Sequence, residues 1–115
     1  MADEPQRIEQ GLLTIRSEPQ DAHLVSLHGE LEGANAKALE SEFTRVEATR
    51  VSRIVLDLSE LESIDSTGLA VIMRAQARAK NAGHVLRVLR PDGQGGQVSR
   101  LFELCGLDEV LAFGN

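Results

Sequence analysis

Four consecutive residues, Asp65-Ser66-Thr67-Gly68, hold the most chemistry in this chain of 115 residues. An acid, two hydroxyls and a glycine stand where a polar stretch gives way to the apolar run Leu69-Ala70-Val71-Ile72-Met73. An acid beside a serine could be a base beside a nucleophile. The neighbourhood offers Ser66 no paired histidine or lysine, so the usual activation is missing. Asp65 or Ser66 could instead cap a helix by accepting bonds from its first amides. A serine hydroxyl at such a helix start also sits where the positive dipole end tolerates an anion, phosphate included. A site at which charge is added and removed is therefore a second use of the same residues.

Other reaction classes fit less well. The protease signature Asp-Ser/Thr-Gly has one residue fewer between acid and glycine than this chain has. It also belongs to a loop of an all-β fold, whereas here a helix follows. His23, His28 and His84 fall in or beside strands, and none has a second ligand at metal spacing, so no metal site is expected. Pro91-Asp92-Gly93-Gln94-Gly95-Gly96-Gln97 is glycine-rich but lacks both the Lys-Ser/Thr of a phosphate loop and the spacing of a dinucleotide fingerprint. It reads as a plain connection. No cofactor is expected, and neither is catalysis.

Composition narrows the partners. The formal charge is −6, and aromatics make up 3% with no Trp or Tyr. Nucleic-acid binders show basic patches and stacking aromatics, so nucleic acid is excluded as a direct partner. The same acidity disfavours anionic membranes. No 18-residue apolar run is present, and the acidic start "MADEPQRIEQG" is not a signal peptide. The one cysteine, Cys105, lies among Leu101, Phe102 and Leu104 and reads as a small core residue. A cytoplasmic protein is expected. At 42% hydrophobic content the chain can build one core of Leu, Val, Ile and Ala, so residues 1–115 are expected to form one domain, with residues 1–11 a flexible N-terminus.

The elements that must position Ser66 follow from periodicity. Leu12 to Glu18 and His23 to Glu30 alternate as strands, joined by a turn at Pro19-Gln20-Asp21 into a hairpin. Ala36, Leu39, Phe43 and Val46 fall on one helix face, with Asn35 as N-cap. Arg53 to Ser59 is a short apolar run that suits a strand covered on both faces. Ser66 to Ala82 predicts a largely buried helix. One side is Leu69, Ile72, Met73 and Ala79, a second is Ala70 and Ala77, and Gly83 closes it. His84 to Arg90 reads as a further strand, and Gln97 to Gly106 as a short helix with Cys105 inward. The order β-β-α-β-α-β-α gives an α/β fold, a small mixed sheet with helices packed on it. Ser66 then lies at the C-terminal end of a strand, where such sheets place their function.

The run "IVLDLSELESIDSTGLAVI" closely resembles the signature of the STAS domain, the sulphate transporter and anti-sigma factor antagonist family. Asp57, Leu58, Ser59, Asp65, Ser66, Thr67, Gly68, Leu69 and Ala70 all fit it. "GELEGANA" is similar to the family's Gly-Glu-Leu-Asp segment, with Glu32 where the family commonly has Asp. "LFELCGLDEVLAF" is similar to its closing tail, so the likeness spans residues 12 to 113. The resemblance implies a STAS-like mixed sheet and a partner-switching regulator. An anti-sigma factor that is also a serine kinase would be bound, freeing the sigma factor. Phosphorylation, carried over to Ser66, would cause release, and a PP2C-type phosphatase would reset the protein. By the same resemblance Asp65 is cap and recognition acid, and Thr67 is a helper in the first turn. Gly68 would let a partner's backbone approach, and Glu30, Glu32 and Asn35 would join the partner surface. The alternative is a STAS subunit that docks constitutively on a larger machine, such as a lipid-transport complex. Ser66 followed by Thr67 favours the switch, because a docking subunit needs no serine there.

Overall fold

The computed structural model describes residues 5–89 and the backbone of Phe113–Gly114. A six-stranded mixed sheet runs in chain order: β1 (Gln6–Gln10), β2 (Leu13–Glu18), β3 (His23–Leu31), β4 (Arg53–Ile64), β5 (Val85–Leu89) and β6 (Phe113–Gly114). The pairs β1–β2 and β2–β3 are antiparallel, and the three pairs from β3 to β6 are parallel. Helices α1 (Ala36–Glu47) and α2 (Ser66–Ala82) make the crossovers. The α/β class and the mixed sheet are those expected from the sequence. The expected loop after Pro91, the helix over 97–106 and the placing of Cys105 lie outside the described residues.

Helix α1 turns Ala36, Leu39, Phe43 and Val46 into the core, as its periodicity predicts. It also buries Glu42, which periodicity would leave wet. Arg45 donates to Glu42 from Nε at 3.0 Å and from Nη2 at 2.6 Å. The same Nη2 reaches Ser17 Oγ at 3.5 Å, and Ser17 Oγ is bonded to His23 Nε2 at 2.7 Å. A buried carboxylate is tolerable because it is paired and hydrogen-bonded. This chain of bonds ties α1 to β2 and β3. On the surface, Arg74 and Arg78 of α2 bridge to Glu40, and Arg78 also bridges to Glu47, all at 2.9–3.1 Å. The bond to Glu47 raises the Arg78 pKa further above its ordinary value.

Three expectations need correction. Residues 6–10 are not a flexible tail but the edge strand β1, whose exposed residues left no apolar pattern to read. The strand at Arg53 does not stop at Ser59; it runs to Ile64 and is closely covered on one face only. Its inward residues are Ile54, Leu56, Leu58, Leu61 and Ile64, an alternation that breaks twice. Each break coincides with a register shift against β3, between Ser26 and His28 and between Gly29 and Glu30. Each shift inserts one extra β4 residue and resets which parity faces the core. At the first, Asp57 Oδ1 accepts the Ser59 amide at 2.9 Å and so satisfies a donor there. In α2, finally, Met73 and Ala77 face outward, while Val71, Ala75 and Gln76 face in. The single apolar face is Leu69, Val71, Ile72, Ala75 and Ala79.

Candidate functional site

Asp65 links β4 to α2 in extended conformation and caps the helix. Its Oδ1 accepts the Gly68 amide at 2.9 Å, and its backbone carbonyl accepts the Leu69 amide at 3.0 Å. Its Oδ2 accepts the Gly33 amide at 2.9 Å, from the turn that follows β3. Its own amide donates to Leu31 O at 3.1 Å. One aspartate thus fastens the end of β3 and the turn after it to the start of α2. The Gly68 amide, helped by those of Gly33 and Thr67, holds the Asp65 carboxyl below its ordinary pKa, against some desolvation.

A second bracket holds the turn from within. Asn35 Oδ1 accepts the Glu32 amide at 2.8 Å, and Asn35 Nδ2 donates to Glu30 O at 2.9 Å. Asn35 stands at the N-cap position of α1, but its buried side chain makes no cap bond to the helix and instead positions the turn Gly33–Asn35. The expected N-cap position is therefore met, without the expected side-chain bond. Gly68 also has a part inside the fold. It is buried, and a Cβ there would stand 2.7 Å from Leu31 Cγ and 3.0 Å from Ile64 Cγ1. Its smallness lets α2 begin close against β3 and β4.

The remaining predicted residues do share one end of the sheet. Ser66 and Thr67 are exposed in the first turn of α2, Glu32 is exposed, and Glu30 is half-buried. Gly33 lies inside the expected Glu30–Asn35 segment, but its part there was not foreseen: its amide holds Asp65, at a φ of 52° that favours glycine. Away from this end, a concavity of about 260 Å³ lies on the sheet among Arg16, Glu18, Ser26, His28, Asp57, Ser59 and Glu60. None of the predicted site residues lines it. Among the described residues, no three His, Cys, Asp or Glu side chains gather as a metal site would require. No described helix is long and apolar enough to cross a membrane.

Replacing Asp65 tests the clamp. Asp65→Ala removes the acceptor of two amides, a cap contribution of about 0.5–2 kcal/mol and a further bond of about 1 kcal/mol. The expected cost is roughly 1.5–3 kcal/mol, read as a lower Tm. Because folding depresses this pKa, the wild type holds the carboxylate's contribution above the ordinary aspartate value near 4 and loses it as pH falls through the depressed one. The stability difference between wild type and Asp65→Ala should therefore narrow below about pH 4. A difference constant down to pH 2 would show that the carboxylate charge contributes nothing.

The sheet order, the two crossover helices and a serine opening the helix after the central strand define a STAS-type regulator domain. Residues 14–112 match the family model described as "Mlab, STAS domain", and the chain belongs to the STAS domain family. The BtrV protein of Bordetella bronchiseptica, named as an anti-sigma factor antagonist, is 32% identical over 94 residues, covering 80% of this chain and 77% of BtrV. The crystal structure of an anti-sigma factor antagonist from Mycobacterium paratuberculosis superposes with a TM-score of 0.77 at 26% identity, covering 92% of this chain and 89% of that one. The Bacillus cell fate determinant SpoIIAA in its phosphorylated form has the same fold, with a TM-score of 0.62 at 14% identity over 96% of this chain and 91% of its own. The first two of these relatives are named as anti-sigma factor antagonists and the third as a cell fate determinant.

Proposed function

We propose that this chain is an anti-sigma factor antagonist that works as a phosphorylation-controlled partner switch. In its unmodified form it binds an anti-sigma factor that is also a serine kinase, so that the sigma factor is freed. Transfer of a phosphoryl group to Ser66 Oγ ends that complex, and a PP2C-type phosphatase restores it. The observation that carries this reading is the place of Ser66. It is exposed, it opens α2, and the Asp65 clamp sets it beside the Glu30–Asn35 segment in one patch. The BtrV likeness supports the antagonist class, and SpoIIAA supplies a phosphorylated example of the fold. Asp65 acts as cap and clamp, Thr67 and Glu32 form the exposed contact surface with Ser66, and Asn35 positions Glu30 and Glu32.

Mass spectrometry of the native protein should find phosphate on Ser66. Ser66→Ala should bind the kinase and remain bound in the presence of ATP, as followed by size exclusion. The constitutive docking subunit is the competing reading. It stands instead if Ser66 carries no phosphate and Ser66→Ala and Ser66→Asp hold the same partners equally.

A further inference from the structure

Among the described residues strand β1 is an outer strand of the sheet, and its sequence complements itself. Gln6-Arg7-Ile8-Glu9-Gln10, laid antiparallel on a second copy about Ile8, sets Gln against Gln, Arg7 against Glu9 and Ile8 against Ile8. The hydrogen-bond phase agrees. Gly11 and Leu12 make a two-residue turn, with Gly11 at φ 60° as the first position of a type II′ turn requires. Gln10 and Leu13 then flank the turn as a hydrogen-bonded pair. By alternation Gln6, Ile8 and Gln10 spend their backbone groups on β2, while Arg7 and Glu9 point theirs away from it. Arg7 opposite Glu9, twice over, is therefore the register in which the outward amides and carbonyls of two copies meet. Ile8 falls on the two-fold axis as a close, non-hydrogen-bonded pair.

We propose that β1 is the interface of a homodimer in which two copies pair β1 to β1, antiparallel, into one continuous sheet. Charged edge strands usually oppose such pairing. Here the signs choose one register instead of forbidding all. Centring the pair on residue 7 or on residue 9 would set Arg7 against Arg7 or Glu9 against Glu9. Only the axis through Ile8 opposes unlike charges, and like charges directly opposite are destabilising. Arg7 and Glu9 are exposed at 67% and 64% and already pair within the strand at 3.1 Å, so both side chains stand on one face, ready to exchange partners. Ile8, half-buried against the core, would cover the rest of its surface with its symmetry mate. Ser66 lies at the end of β4, three strands away, roughly 14 Å at the usual strand spacing of ~4.8 Å. Pairing at β1 leaves that patch open on both copies.

Sedimentation equilibrium of the full chain tests this. A reversible dimer is expected. Glu9→Arg alone and Arg7→Glu alone should each weaken it by at least ~10-fold, since two pairs turn from unlike to like. An equimolar mixture of the two variants, and the double variant R7E/E9R, should each restore it. Circular dichroism of both single variants should match the wild type, because neither side chain is buried. A wild type that stays monomeric at hundreds of micromolar overturns the proposal. So does a dimer indifferent to both single variants, or a mixture that fails to recover.

Discussion

Phosphorylation of Ser66 is expected to lower affinity for the anti-sigma kinase at least ~30-fold, about 2 kcal/mol, while leaving the fold standing. The modification adds about −1.5 to −2 charges at pH 7. Ser66 is exposed at the N-terminus of the 17-residue helix α2, where the dipole favours an anion by about 0.3–1 kcal/mol. Asp65 next to it offsets that gain, so the two contributions nearly cancel within the folded chain. A bound partner changes the sum. There the same charge must be desolvated or must face acidic groups, at a cost of several kcal/mol. A domain of this size shifts by about 4 °C for each kcal/mol, so the phosphorylated form should melt within a few degrees of the unmodified one. Calorimetric titration with the kinase and differential scanning calorimetry of both forms separate the two effects. A phosphorylated form that melts far below the unmodified one would show that the switch acts by unfolding.

The largest loss of stability is expected from Gly29→Ala. Gly29 sits inside β3 at φ 101°, and a Cβ there would stand 2.1 Å from Leu12 O. That carbonyl is backbone and also accepts the Glu30 amide at 3.0 Å, so it cannot turn aside. Backbone strain of about 1–3 kcal/mol adds to a packing clash of about 1–3 kcal/mol. A cost of about 3–5 kcal/mol corresponds to a fall in Tm of roughly 12–20 °C. Gly33→Ala is the control. Its φ of 52° is also left-handed, but nothing lies within 4 Å of its Cβ position. It should cost only the conformational part, about 1–2 kcal/mol. Equal losses at the two positions would mean that the contact with Leu12 O carries no weight.

The two helices were legible because their apolar residues recur at helical spacing, and α2 carries its own stop at Gly83. What failed to show was set by tertiary geometry. Strand β1 has both faces largely wet, so its residues alternate nothing that a hydrophobic pattern can register. The length of β4 was hidden because two inserted residues change the parity of burial at Ser59 and again at Glu62. Met73 and Gln76 exchange the places their chemistry suggests, since the sheet lies under one and not the other. At the candidate site, the sequence gathered Asp65, Ser66 and the Glu30–Asn35 segment correctly, because the ends of adjacent parallel strands lie together. It did not show that Asn35 and Gly68 are buried, nor that one holds the turn and the other lets α2 start close to β3 and β4. A side chain that holds a turn and one that meets a partner look alike until burial separates them.

The bond from Gly33 to Asp65 joins residues 32 apart in the chain. On the proposed function, a kinase acting on Ser66 would meet a corner built from two segments and not a strip of sequence. Drawing the serine out as an extended peptide would mean breaking the helix start and releasing the neighbouring turn with it. Discrimination must then lie in the shape shared by two distant segments, and a short peptide from Glu60 to Ile72 would be a poor substitute for the whole protein. Where several such regulators coexist, identical Asp-Ser-Thr-Gly words would then not confuse their enzymes: the address of each signalling line would be written in three dimensions, insulating parallel lines while the words themselves stay the same.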